Sequence, residues 1–310
     1  MSVAFVFPGQ GSQSVGMLGE LAQVAPAVRQ TFEQASSVLG YDLWAVVQEG
    51  PEEELNRTSV TQPAMLSAGV AVWRAWQARG GVEPVAMAGH SLGEYTALVC
   101  ADSLDFEAAI ALVAERGRLM QEAVPAGEGA MAALLGLDDA TVIDVCERAG
   151  EGQVVSAVNF NAPGQVVVAG HKDAVDRAVA LAKTAGAKRA VVLPVSVPSH
   201  CALMQPAAER LAERLREVEF EAPRIPVINN ADVEAATDHG AIRDALARQL
   251  HSPVRWVETI QAMAGRSVDK LVECGPGKVL VGLNKRIARE MTAFPVFDPE
   301  GLDKALSETL

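Results

Sequence analysis

Gly89-His90-Ser91-Leu92-Gly93 holds the most chemistry in this chain. It follows the apolar, strand-like run 82–88 and has the G-x-S-x-G pattern of a nucleophile elbow, in which a strand turns sharply into a helix with serine at the apex. Gly89 and Gly93 lack a Cβ, so backbone can pass close on both sides of the turn. A serine presented this way points to acyl transfer, but its hydroxyl is a weak nucleophile at neutral pH and needs a base. Five histidines are available: His90, His171, His200, His239 and His251. His90 adjoins the serine, and neighbours on a tight turn rarely point the same way, so it reads as a residue that shapes the pocket. His200 lies in Val197-Pro198-Ser199-His200-Cys201, a loop between an expected strand and an expected helix, where catalytic side chains often sit. From spacing, His200 leads as the base and His251 stands behind it. No acid between Ser91 and His200 has an obvious triad position; a backbone or amide oxygen could orient the imidazole instead, which would make a Ser-His dyad.

Two further features could complete such a site. Arg116 lies on the helix expected after the elbow, three residues beyond Val113 and four before Met120. The pattern alone favours a snorkelling surface arginine. If the helix packs close to Ser91, its guanidinium could instead grip a carboxylate with two parallel hydrogen bonds. The loop after the first strand, Pro8-Gly9-Gln10-Gly11-Ser12-Gln13, would line the active-site edge of a parallel sheet. A backbone N–H at Gln10, paired with that of Leu92, could form an oxyanion hole.

The elements that must position these residues alternate. Val3–Phe7 is a strand. Gln62–Arg79 is a helix with Pro63 in its first turn, ending at Gly80-Gly81. The elbow follows, and then Asp105–Ala123, with apolar residues at 106, 109, 110, 113 and 120, a helical stripe. Such alternation argues for a parallel sheet covered by helices. Past Pro125-Ala126-Gly127 the order becomes β-α-β-β-α-β, with strands at 130–136, 154–161, 165–169 and 187–195, the order of a ferredoxin-like unit. The α/β character then returns with helix 203–216 and strands 225–230 and 270–272. The expectation is an α/β fold: a large α/β-hydrolase-like domain with a parallel sheet (1–126 and 197–310) and an inserted small ferredoxin-like domain (127–196).

Composition narrows the function. The formal net charge of the 310 residues is −13, with 39 acidic against 26 basic residues, which argues against a nucleic-acid surface. No apolar run is long enough to span a membrane, and the first residues read as a strand and not as a signal peptide, so the cytoplasm is the expected location. Cys100, Cys146, Cys201 and Cys274 are widely spaced, as reduced thiols would be, and form no zinc-type pair.

Taken together, these segments resemble the malonyl-CoA:acyl-carrier-protein transacylases of fatty-acid synthesis and the related acyltransferase domains of polyketide synthases. Phe7-Pro8-Gly9-Gln10-Gly11-Ser12-Gln13 is similar to the family's N-terminal loop, and Gly89–Tyr95 to its nucleophile motif. Arg116-Gly117-Arg118-Leu119-Met120-Gln121 resembles the helix with its carboxylate-binding arginine. Asn159-Phe160-Asn161-Ala162-Pro163-Gly164-Gln165 resembles its small-domain hairpin, and Val197–Cys201 its catalytic histidine segment. Gln249-Leu250 with Pro253-Val254-Arg255-Trp256 resembles a late glutamine motif, and Glu273-Cys274-Gly275-Pro276-Gly277 a C-terminal loop.

The resemblance implies that Ser91 is acylated, that His200 is its base, and that Arg116 binds the free carboxylate of malonate. Gln10 and Leu92 would supply the oxyanion-hole N–H groups, and Gln249 would sit in the pocket with its carbonyl orienting His200. Asn159 and Asn161 would line the cleft or cap the hairpin. The implied reaction carries a malonyl group from malonyl-CoA to the phosphopantetheine thiol of acyl-carrier protein through a malonyl-serine ester. It would need no metal or redox cofactor, no nucleic acid and no membrane, and the expected form is a monomer. Malonyl and methylmalonyl both remain open, as do fatty-acid and polyketide carriers. Two rivals stand beside it, a serine thioesterase and a non-catalytic scaffold that docks carrier proteins. With so acidic a chain, docking of an acidic carrier is expected to use a local basic cluster drawn from Lys183, Lys188, Arg189, Lys285 and Arg286.

Overall fold

Val3-Ala4-Phe5-Val6-Phe7 has no polar position, and a strand apolar at every residue must be covered on both faces. In the computed structural model, which describes residues 2–195 and 197–309, this run is β1 (Val3–Phe7), the fully buried centre of a parallel sheet. Met1, Leu310 and Ser196, at which the expected small domain ends, lie outside the described residues. The other strands are β2 (Ala86–Gly89), β3 (Gly129–Leu135), β4 (Val155–Ala162), β5 (Gln165–His171), β6 (Arg189–Val192), β7 (Val227–Ile228), β8 (Lys270–Cys274) and β9 (Thr292–Val296).

Five strands form the large sheet in the order β7-β2-β1-β8-β9, with every pairing parallel. Alternate residues of β1 feed two cores. Val3, Phe5 and Phe7 pack into the larger one, with Trp73, Trp76, Tyr95 and Leu119, while Ala4 and Val6 face the other, with Trp256, Ile260 and Leu283. Trp73 and Trp76 meet the Phe5 ring edge-on, with centroids 5.3 and 5.1 Å away. These tryptophans lie on the helix Thr58–Ala78, which is apolar nearly all round and buried accordingly. That helix starts earlier than expected, so Pro63 falls inside it and not in its first turn. Thr61 Oγ1 bonds back to the Leu55 and Arg57 carbonyls and secures the start.

The second sheet has the order β4-β5-β3-β6 and is antiparallel throughout, with β3, β5 and β6 on the expected segments and helices Asp139–Gly150 and Lys172–Thr184 packed on one face. Its strands follow the expected β-α-β-β-α-β order, and all lie between residues 129 and 192. The expected strand 187–195 shortens to Arg189–Val192, and 225–230 shortens to Val227–Ile228, leaving Asn229 and Asn230 at a strand end. Ala162, at the end of β4, joins the core under Trp256 and so ties the two sheets together. The four cysteines are buried and free of disulfides. Among the described residues, no helix is long and apolar enough to cross a membrane.

Candidate active site

β1 and β2 are parallel neighbours in the register Phe7 opposite Gly89, so the loops that follow them leave the sheet side by side. The His90 N–H donates to the Phe7 carbonyl at 2.9 Å. The two glycines of the elbow are required by close approach. A Cβ on Gly89 would lie 1.8 Å from the Gly93 carbonyl carbon, and one on Gly93 would lie 2.1 Å from the Phe7 oxygen. Gly9 is equally confined, since its Cβ would meet the His90 oxygen at 2.4 Å, and this packing sets the Gln10 loop against the elbow. Ser91 itself has φ 52°, a left-handed conformation that costs an L-residue about 1–2 kcal/mol. The fold holds it there and lifts its side chain off the sheet edge into the site.

Ser91 Oγ lies 2.8 Å from His200 Nε2. On the other side of the ring, Nδ1 lies 2.7 Å from the Gln249 carbonyl. A carbonyl can only accept, so Nδ1 carries the proton and Nε2 is left free to accept from the serine. The His200 N–H also donates to the Leu250 carbonyl at 2.9 Å, and His200, like Ser91, adopts a left-handed φ, 66°. Two consecutive carbonyls of the 249–250 segment thus fix both the backbone and the ring. The imidazole is buried, and burial, with the Arg116 charge beside it, pushes its pKa down to about 3, so it is a neutral acceptor across the ordinary pH range.

Arg116 is 1% exposed, which overturns the surface-arginine reading of the bare pattern. The reason is Gly117: a Cβ there would lie 2.7 Å from the Thr58 carbonyl, so the helix Phe106–Ala123 can press onto the start of Thr58–Ala78. The close contact carries the guanidinium inward. Nη1 donates to Gln62 Oε1 at 2.8 Å, and Nη2 donates to Gln249 Oε1 at 3.0 Å and to Ser91 Oγ at 3.4 Å. The guanidinium carbon sits 5.3 Å from the centre of the Tyr95 ring, a cation–π geometry. Arg116 Nε and the Tyr95 hydroxyl are buried without a hydrogen-bond partner among the described residues. The arrangement joins a serine, a neutral imidazole to take its proton, and a cation that can bind a carboxylate beside them.

Comparison with known proteins settles the family. The acyl transferase domain profile matches residues 4–296. The chain belongs to the acyl transferase family. It is 60% identical, over 98% of its length and 99% of the relative's, to the malonyl CoA-acyl carrier protein transacylase of Salmonella typhimurium, and 44% identical, over 98% and 96%, to that of Bacillus subtilis. Among solved structures it is similar to an acyl carrier protein S-malonyltransferase from Vibrio cholerae, with TM-score 0.96 and 61% identity over 98% of this chain and 100% of that one. It is also similar to a malonyl-transacylase solved in complex with a type II PKS acyl-carrier protein, with TM-score 0.99 and 57% identity over 99% and 100% of the two chains.

The remaining expected residues of this acyl transferase fall into groups. Gln10 is exposed on its loop, with its side-chain amide 3.3 Å from Thr58 Oγ1. The N–H groups of Gln10 and Leu92 have no hydrogen-bond acceptor among the described residues. His90 Nε2 lies 2.8 Å from Asn161 Oδ1, a link between the elbow and the β4–β5 hairpin, and the His90 ring packs 5.4 Å from Trp256. Asn159 pairs through its backbone with Val254, and its Oδ1 is buried without a partner among the described residues. His251, the second candidate base, is not the histidine bonded to the serine, which is His200; the His251 N–H caps the Arg248 carbonyl. His171 accepts the Val154 N–H in the small sheet, and His239 meets the Phe220 carbonyl, so both rings are engaged elsewhere.

Sequence reasoning did not single out Gln62, Glu94, Tyr95 or Asn230, all buried and all touching this site. Glu94 and Tyr95 stood inside the nucleophile motif. Asn230 had a weaker signal, a polar residue closing an apolar strand at the sheet edge where the elbow emerges.

Proposed function

We propose that the protein transfers a malonyl group from malonyl-CoA to the phosphopantetheine thiol of acyl-carrier protein, through a malonyl ester on Ser91. The observation that carries this reading is the position of Arg116 Nη2, 3.4 Å from the same Ser91 Oγ that meets His200 Nε2 at 2.8 Å. A cation so close to the nucleophile suits a short acyl group that ends in a carboxylate, and a hydrolase of neutral thioesters has no use for it. The relatives and the carrier-bound structure reported above support the same substrate and acceptor.

In the first half-reaction, Ser91 Oγ forms a bond to the thioester carbonyl carbon as His200 Nε2 takes its proton. The Gln10 and Leu92 N–H groups stabilise the oxyanion. The carbon–sulfur bond breaks, His200 returns the proton to the sulfur, and coenzyme A leaves as the thiol. The substrate carboxylate binds at the Arg116 guanidinium beside Ser91. The carrier thiol then repeats these steps in reverse against the serine ester. Every proton is handled by His200, and the reaction calls for no metal or redox cofactor.

The test is intact-protein mass spectrometry after mixing with malonyl-CoA, with and without holo acyl-carrier protein. The expected result is one malonyl mass on Ser91 that discharges onto the carrier. Free malonate released at equal rates with and without carrier makes the protein a thioesterase, and no added mass at all makes it a docking scaffold.

A further inference from the structure

Beneath the elbow lies a cluster of buried side chains, none of which gives or takes a proton in the transfer. Glu94, Asn230 and Gln249 are 2%, 0% and 1% exposed. Asn230 Oδ1 accepts the Ser91 N–H at 2.7 Å, and Asn230 Nδ2 donates to the Gly89 carbonyl at 2.7 Å. Gln249 Nε2 donates to the Ser91 carbonyl at 3.0 Å. Two side chains from distant segments therefore grip the two ends of one residue, the residue whose left-handed φ is costly. Both are held in turn by a single oxygen. Glu94 Oε2 accepts the Asn230 backbone N–H at 2.8 Å and Gln249 Nε2 at 2.8 Å. The far end of the Gln249 amide, Oε1, accepts from Arg116.

Side-chain hydrogen bonds to a buried carboxylate are stronger and more directional than neutral ones. A carboxylate is costly to bury, and here it is met by two donors and faces the Arg116 charge across one amide. An apolar residue in its place would leave the Asn230 N–H and one Gln249 N–H without partners.

We infer that Glu94 and Asn230 are positioning residues of the transfer reaction, forming a buried cradle that fixes the Ser91 peptide and the Arg116-holding amide of Gln249 in one setting. This rests on the reading of Ser91 as the acylated nucleophile. The cradle makes the serine and the arginine one mechanical unit, although they stand on different helices. Asn230 sets the serine, Gln249 sets the arginine, and Glu94 couples the two.

The experiment compares wild type with Asn230→Ala, Glu94→Leu and the double variant. The rate of Ser91 acylation by malonyl-CoA is read by rapid mixing and intact mass, per folded molecule as judged by circular dichroism. Peptide-level hydrogen exchange over residues 89–98 is read in parallel. Each single variant is expected to acylate about tenfold or more slowly through kcat, with KM for malonyl-CoA changed far less, because misplacing a reacting group acts on the reaction step. The double variant is expected to be no slower than the worse single one, the signature of residues acting as a unit. The wild-type Ser91 amide is expected to be strongly protected and to lose protection in Asn230→Ala. Acylation at the wild-type rate in both folded variants, or strictly multiplicative losses, overturns the cradle. Should neither variant fold, a wild-type Ser91 amide that exchanges as fast as an exposed loop overturns it as well. A wild type that takes no malonyl group on Ser91 overturns the reaction of the previous subsection, while the exchange measurement still decides the cradle.

Discussion

Arg116 and His200 have opposite electrostatic assignments, and each makes a prediction. Arg116 keeps its charge although burial lowers its pKa, since an arginine starts from so high a value. Replacing it by alanine removes the only guanidinium bonded to Ser91 among the described residues. Arg116→Ala is expected to slow malonyl transfer about 100-fold, the scale of losing one charge-assisted substrate contact, and to raise relative use of acetyl-CoA. Competition between the two acyl-CoAs measures it, and an unchanged ratio places the malonate carboxylate elsewhere. His200 has its pKa lowered from 6.5 to about 3 by burial first and the Arg116 charge second. Between those two values the unfolded chain binds a proton at this imidazole and the folded one does not, so stability falls as pH drops through that window. Activity should not follow, because the folded base stays neutral. The acylation profile, kcat/KM against pH, is therefore expected to show no titration of His200 near 6.5. Glu94 is the exception nearby, its carboxyl pushed up to about 7 by burial against the donors from Asn230 and Gln249. An inflection near 7 belongs to it and should vanish in Glu94→Gln.

Helices and strands decide whether those residues meet at all. The helix Phe106–Ala123 reaches the site because Gly117 lets it lie on the Thr58 carbonyl. Gly117→Ala would drive a methyl group to 2.7 Å from that oxygen, where backbone and not a flexible side chain must yield. The expected cost is about 1–3 kcal/mol of stability, typical of overpacking, together with a shift of Arg116 that lowers malonyl use more than acetyl use. Thermal unfolding and the acyl-CoA ratio read the two effects separately. This contact also explains the limits of the sequence. β1, the elbow and the β-α-β-β-α-β order were legible because periodicity and turn residues are local. The burial of Arg116 was not, since a charged residue next to an apolar stripe looks the same whether the helix sits 8 or 10 Å from its neighbour. β9 escaped for a similar reason. Pro295 breaks its strand pattern, but the strand is the sheet edge, where a missing N–H is tolerated. The elements within 14–60 and 275–310 carried no motif with chemistry in it. Asn230 was hidden because its partners lie 139 and 136 residues away at Ser91 and Glu94.

The whole molecule poses a charge problem that the site does not. With a net charge of −13, the protein repels an acidic carrier at long range, so productive encounter requires a local reversal of sign. Its cations are not equally available for that task. Arg118, Arg148, Arg224, Arg248 and Arg255 each sit against a carboxylate. Lys183, Lys188, Arg189, Lys285 and Arg286 form no salt bridge among the described residues. Three of these, Lys188, Arg189 and Arg286, line one open recess of about 460 Å³ with Leu135, Pro163 and Gly164, and outnumber the one carboxylate there, Asp138. Arg286 is fixed there by the Pro163 carbonyl and Gln165, so the helix Val279–Ile287 and the β4–β5 hairpin present their charge together. Exposed ion pairs act through encounter more than through affinity, and their reach at 0.1 M salt is about 10 Å. Reversing Lys188 and Arg189 to glutamate is therefore expected to cut kcat/KM for acyl-carrier protein about tenfold at low salt. The loss should shrink as salt rises, and transfer to free pantetheine, an uncharged acceptor of the same thiol, should change far less. Stopped-flow transfer from malonylated enzyme to each acceptor across a salt series measures all three. A carrier reaction insensitive to both salt and charge reversal would mean that the carrier approaches over another face.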